Sequence, residues 1–87
     1  MTRQSPRLFN VHVSPEARQA CELLPPRVAR AVYGFLRTAM REDPEKHGAQ
    51  LRGAAKGWLL TRRANFRITY AVDRVTHTVS ILRIEPR

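Results

Sequence analysis

Arg62 and Arg63 stand just before the dipeptide Ala64-Asn65, and Arg67 stands just after it. Guanidinium groups on either side of a tight turn can grip a phosphodiester, because each presents a planar fork of donors that matches phosphate oxygens. They can also stabilise the extra negative charge that builds up when an RNA 2′-hydroxyl attacks the adjacent phosphate. Metal-free cleavage of that kind needs two further groups. One accepts the proton of the 2′-hydroxyl, and the other protonates the leaving 5′-oxygen. The cations are plain: Arg52, Lys56, Arg62, Arg63 and Arg67 follow one another with no acidic residue between Arg52 and Arg67.

The proton carriers are less plain. His47 lies in a polar stretch beside Lys46 and Gly48, from which it could approach the arginines, although a solvated loop histidine is the commoner case. Glu85 could serve as a base, or simply pair with Arg87 close by in sequence. Tyr70 alternates with core residues and reads as packing. His12 reads as a surface or edge histidine, and His77 falls in a turn. Trp58 could stack on a base, while a lone tryptophan opening an apolar strand is more often core or interface. Cys21 lies on the apolar stripe of a helix and reads as packing.

Composition narrows the classes. The chain has 87 residues, enough for one core and too few for two. Its formal charge is +9, and arginines outnumber lysines fourteen to two. A surplus of this size fits a polyanion, an acidic protein partner or a membrane surface; it also fits a solvated basic face. The surplus is +6 after Leu51 and +3 through Gln50. A single cysteine excludes an internal disulfide. No apolar run approaches the length of a membrane span, and Met1 to Arg7 does not read as a secretory signal, so a cytoplasmic protein is expected. No Gly-rich phosphate loop, metal-ligand spacing or Ser-His-Asp pattern occurs, and no cofactor or metal is expected.

The elements that must hold these residues follow from periodicity. Arg7 to Val13 alternates as a half-buried strand, with Phe9, Val11 and Val13 on one face. Ser14-Pro15-Glu16 has the capping chemistry of a helix start, and Ala17, Ala20, Cys21 and Leu24 form its stripe. Pro25-Pro26 stops this helix and starts a second, which buries Val28, Val32, Phe35, Leu36 and Ala39 and ends near Asp43-Pro44. Glu45 to Ala55 reads as a polar loop. Trp58–Arg63 and Phe66–Val72 read as strands around the Ala64-Asn65 turn, and Thr78–Ile84 as a last strand with apolar residues on both faces, a pattern of strands inside a sheet. The expected fold is α+β, one domain over residues 1–87, in the order β-α-α-β-β-β. A helical hairpin covers one face of a mostly antiparallel four-stranded sheet, and the arginines lie on the uncovered face, where Arg87 could converge with Arg67.

Several segments, in order and at matching separations, resemble the RelE/ParE superfamily of toxins from type II toxin–antitoxin systems. They are Val11-His12-Val13-Ser14-Pro15-Glu16-Ala17, Leu23-Leu24-Pro25, Asp43-Pro44, Leu51-Arg52-Gly53 with Gly57, and the final strand from Thr78 to Arg87. The most specific is Arg62-Arg63-Ala64-Asn65-Phe66-Arg67-Ile68-Thr69-Tyr70-Ala71-Val72-Asp73, similar to the family core R-x-G-x-Y-R-v-x-Y-x-v-D. The turn and the helix lengths favour the RelE side.

The resemblance implies a small endoribonuclease that cleaves mRNA, typically in the ribosomal A site, and is held inactive by an antitoxin that wraps it in a hetero-oligomer. Arg67 matches the family's central active-site arginine, Arg87 its late arginine, and Arg62 a basic position. Arg63, Lys56 and Arg52 would lie along the RNA backbone, with His47 and Glu85 as acid–base candidates. The sequence departs from the pattern in two places. Two basic positions on the strand before the turn fall on Trp58 and Leu60, and the sequence ends at Arg87, before the Tyr or His that some members carry. A ParE-like gyrase inhibitor without enzymatic activity, or a toxin retained only for antitoxin binding, remain alternatives at this level.

Overall fold

The computed structural model describes residues 8–53, 57–63 and 65–86. Its elements are β1 (Asn10–Val13), α1 (Pro15–Glu22), α2 (Pro26–Arg37), α3 (Ala39–Glu42), a 3-10 turn (Pro44–His47), β2 (Ala49–Gln50), β3 (Trp58–Arg62), β4 (Phe66–Asp73) and β5 (Thr78–Pro86). The expectations for Arg7, Ala54, Ala55, Lys56, Ala64 and Arg87 fall outside the described residues.

Local chemistry sets the helix boundaries. The Ser14 hydroxyl accepts from the Ala17 N–H at 3.0 Å, and Pro15 occupies the first turn, where its missing N–H costs nothing. Pro26 does the same for α2, which buries Val32, Phe35 and Leu36. The second helix is not continuous to Asp43 as the apolar spacing predicts. It breaks at Thr38 (φ −114°, ψ −80°), whose hydroxyl donates to the Gly34 carbonyl at 2.8 Å, and resumes as the single turn α3. A threonine that bonds back into its own helix competes with the ladder and favours a break. The break lets Met40 turn fully into the core.

The sheet has five strands in the order β1-β5-β4-β3-β2. The fifth strand corrects the four-stranded expectation: Ala49 and Gln50, within the stretch read as a polar loop, pair antiparallel with Leu60 and Leu59. A two-residue strand carries no periodicity, so only its partner reveals it. β1 lies parallel to β5 and the remaining pairs are antiparallel, and the helices carry the chain from β1 at one edge of the sheet to β2 at the other.

β5 occupies the interior position expected for it, but not through two apolar faces. Tyr70 pairs with Ile81 whereas Thr69 pairs with Arg83, so Leu82 is an inserted bulge residue. The insertion reverses the alternation. Val79, Ile81 and Ile84 all turn to the helical layer and are at most 2% exposed, while Arg83 and Glu85 emerge opposite.

The core joins Ala17, Cys21, Leu24, Val32, Phe35, Leu36 and Met40 from the helices to Leu59, Phe66, Ile68, Tyr70, Val79, Ile81 and Ile84 from the sheet. Each large apolar side chain so buried contributes about 1.5–3 kcal/mol. The helices therefore cover one face of the sheet, and the alternate residues of β3, β4 and β5 line the other.

Candidate nucleic-acid interface

β4 fixes the site through its alternation. Phe66, Ile68 and Tyr70 are buried, so Arg67, Thr69 and Ala71 project to the uncovered face. Arg67 pairs in register with Arg62 of β3 on one side and with Glu85 of β5 on the other. The three side chains form a row across the sheet. The Arg67 Nη2 stands 3.4 Å from the Glu85 Oε1, and both side chains keep over a third of their surface open. The Arg67 Nε is buried and finds no hydrogen-bond partner among the described residues. Arg67 is therefore anchored on one side, and the part of its guanidinium that remains exposed can still donate to a ligand.

Leu60, Thr69 and Arg83 form the next row. The Arg83 Nη1 lies 4.0 Å from the other Glu85 oxygen. Sequence reasoning did not single out Arg83 as a site residue, because unbroken alternation from Val79 and Ile81 would aim it into the core. The only signal in the sequence is a charge at a position that the pattern assigns to the interior. Trp58, Ala71 and Ser80 form the row beyond. Trp58 keeps 44% of its surface exposed, on the arginine side rather than in the core.

Arg62, Arg67 and Glu85 thus come together on one face. Arg63 does not join them. Its guanidinium sits 4.1 Å over the Phe35 ring, on the helical side of the sheet, where a cation over an aromatic face is held by the ring quadrupole. Arg52 is exposed in the segment after β2. Lys56 and Arg87 lie outside the described residues, so Arg87 has no described place beside Arg67. Glu85 pairs with Arg67, while its expected pairing with Arg87 falls outside the described residues.

His47 is half-buried with its ring edge-on to Phe35, centroids 5.8 Å apart. It also lines, with Lys46 and Arg62, a cleft of about 570 Å³ at the β2–β3 end of the sheet. Tyr70 holds this end in place. Its buried hydroxyl donates to the Pro44 carbonyl at 2.5 Å, tying the 3-10 turn, and hence Lys46 and His47, to β4. Burial pushes the Tyr70 phenol up to about 12, with the Glu45 and Asp43 carboxylates adding to the shift. Tyr70 is therefore a neutral strut at ordinary pH, in keeping with its alternation.

No group of three or more His, Cys, Asp or Glu side chains that could hold a metal occurs among the described residues. None of the described helices is long and apolar enough to cross a membrane.

No protein-family model matches the chain. Curated relatives do. Toxin RelG of Mycobacterium tuberculosis is 33% identical over 79 residues, covering 91% of both chains. Toxin RelE of the same organism is 29% identical over 79 residues, covering 91% of this chain and 81% of that one. Among solved structures, the RelBE2 toxin–antitoxin complex of Mycobacterium tuberculosis superposes with a TM-score of 0.89 at 32% identity, over 92% of this chain and 99% of that one. The RelE–RelB complex of Pyrococcus horikoshii superposes with a TM-score of 0.72 at 25% identity, over 91% and 94%. Identity and coverage of this order, on a mixed sheet with a helical hairpin on one face, place the sequence among toxins of toxin–antitoxin systems: the chain belongs to the RelE family.

Proposed function

We propose that this RelE-family toxin is an mRNA endoribonuclease acting in the cytoplasm on ribosome-bound message. The observation that carries the reading is the Arg62–Arg67–Glu85 row on the uncovered sheet face. It sets two cations and a carboxylate side by side, with the Arg67 side chain over a third exposed.

In this reading the scissile phosphate docks on Arg67, whose guanidinium stabilises the charge that develops on the phosphoryl oxygens. Glu85 takes the proton of the 2′-hydroxyl as its oxygen attacks phosphorus. The bond to the 5′-oxygen breaks, and that oxygen takes its proton from water, since His47 packs against Phe35 on the helical side of the sheet. The products are a 2′,3′-cyclic phosphate and a 5′-hydroxyl. Arg62, Arg83 and Arg52 bear on the flanking backbone. Arg87, matched by resemblance, and Lys56, from the basic run, complete the cationic set.

The same basic chain is expected to bind a cognate antitoxin through an acidic or amphipathic segment, forming a hetero-oligomer. Two structural neighbours were solved as toxin–antitoxin complexes, which supports such a partner. The charge of +9 suits an acidic segment, and rim contacts of this kind weaken with salt.

Primer extension on mRNA from cells expressing the toxin tests the enzymatic reading. Discrete new 5′ ends that vanish with Arg67→Ala support it. Growth arrest with intact mRNA and an induced DNA-damage response would replace it with gyrase inhibition.

A further inference from the structure

Trp58 is exposed on the same face as the arginine row, four residues along β3 from Arg62, a distance of about 13 Å at the rise of a strand. It lines a groove of about 400 Å³, within the roughly 300–1,000 Å³ range of small-molecule sites. Leu51 and Leu82 supply apolar walls, and Glu16, Thr69 and Arg83 supply polar groups. The Leu82 bulge creates this groove, since it displaces Leu82 from the pairing pattern and brings Arg83 out beside Thr69.

We propose that Trp58 and Arg83 form a nucleobase subsite beside the scissile-phosphate row, taking one unpaired base of a single-stranded RNA stacked on the indole. This rests on the RNA-cleaving reading above and names how the substrate is held beyond the cut.

Three observations select a base over a protein side chain as the occupant. An indole face left open next to a cation is the pairing that holds single-stranded nucleic acid, since every base has a π-face and every linkage a charge. Thr69 and Arg83, which line the groove, form the row next to Arg67 and Glu85 on the same face, so one extended strand can reach both. Its polar groups include both an acceptor, Glu16, and a donor, Arg83, as the mixed edge of a base requires. Trp58 thereby sets which nucleotides near the cut are tolerated, by stacking strength and not by charge.

Trp58 is the only tryptophan, so its fluorescence reports the subsite alone. Full-length toxin is titrated with a short unstructured oligoribonucleotide carrying a 2′-deoxy substitution at the cut. Stacking predicts quenching of the indole emission. Trp58→Leu weakens binding by roughly 5- to 100-fold and Trp58→Phe by much less. Arg83→Gln weakens binding and lessens the salt dependence. The Trp58→Leu toxin is expected to shift the distribution of cleavage sites on a mixed message.

Saturation of the wild-type protein with no change in emission overturns the subsite, as do unchanged affinity and cleavage pattern in a Trp58→Leu protein that melts like wild type. So does a Trp58→Leu protein that loses a protein partner and keeps its RNA affinity. Cuts without quenching would remove the subsite and leave the endoribonuclease standing, whereas quenching without cuts would do the reverse.

Discussion

Arg67 and Glu85 face each other across β4 and β5, with Nη2 and Oε1 3.4 Å apart on the open side of the sheet. The pair is half-exposed, so its ionic attraction is modest and an incoming phosphate can compete for the guanidinium. Removing the carboxylate charge should therefore separate binding from chemistry. Glu85→Gln is expected to bind a non-cleavable oligoribonucleotide more tightly than wild type, yet to cleave about 10²- to 10⁴-fold more slowly, the usual range for a lost general base. Parallel measurement of affinity and single-turnover rate checks this. Equal losses in both would mean that Glu85 only positions Arg67.

Gly48 lies against Tyr70. A Cβ built on Gly48 would come within 2.2 Å of the Tyr70 hydroxyl oxygen and 2.9 Å of its ring. Gly48 has an extended φ of −135°, open to any residue, so the requirement is space and not backbone freedom. Gly48→Ala is expected to cost about 1–3 kcal/mol by overpacking. At this chain length each kcal/mol lowers Tm by about 4–8 °C. Tyr70→Phe should cost about 1 kcal/mol through the bond lost to Pro44. In the double variant the missing hydroxyl makes room for the methyl, so the combined loss should fall short of the sum. Thermal melts of the three variants give the coupling.

The same phenol makes stability pH-dependent at the alkaline end. In the folded chain Tyr70 keeps its proton up to about 12, chiefly because it is buried, whereas in the unfolded chain it ionises near its ordinary value of 10.0. Between those values the unfolded state holds fewer protons, so stability falls as pH rises. The contribution is intact below pH 10 and declines by about 2–3 kcal/mol across the window. Denaturant midpoints of wild type should drop from pH 9.5 to 11.5 more steeply than those of Tyr70→Phe. Identical slopes would place Tyr70 in contact with solvent.

Cations on the open face should differ from the one over Phe35. Replacing Arg62, Arg67 or Arg83 with Gln is expected to reduce the slope of log affinity against log salt by about 0.7 each if it meets a phosphate. Arg63→Gln should leave that slope nearly unchanged and lower stability, because Arg63 packs on Phe35. Salt titrations of RNA binding for the four variants decide the point.

Much of this arrangement is visible before folding. Phe66, Ile68 and Tyr70 announce a half-buried strand, and that alternation alone sends Arg67 to the far face. Ser14 and Pro15 announce the start of α1. What escapes is whatever depends on a partner strand or a tertiary neighbour. The Leu82 bulge exists only relative to Thr69 and Tyr70, so the emergence of Arg83 is invisible in β5 itself. β2 is too short to have a period. Alternation turns Arg63 away from Arg62, but what Arg63 meets there, the Phe35 ring from α2, is known only from the fold. The break at Thr38 turns on one hydroxyl that could equally have faced water.

The most direct test is to map RNA ends after purified toxin acts on ribosomes programmed with a defined message. The account predicts discrete cuts that leave 2′,3′-cyclic phosphates, reduced about 100-fold or more by Arg67→Ala in a protein that melts like wild type. Full-rate cleavage by Arg67→Ala, or intact message alongside blocked DNA supercoiling by gyrase, would contradict it.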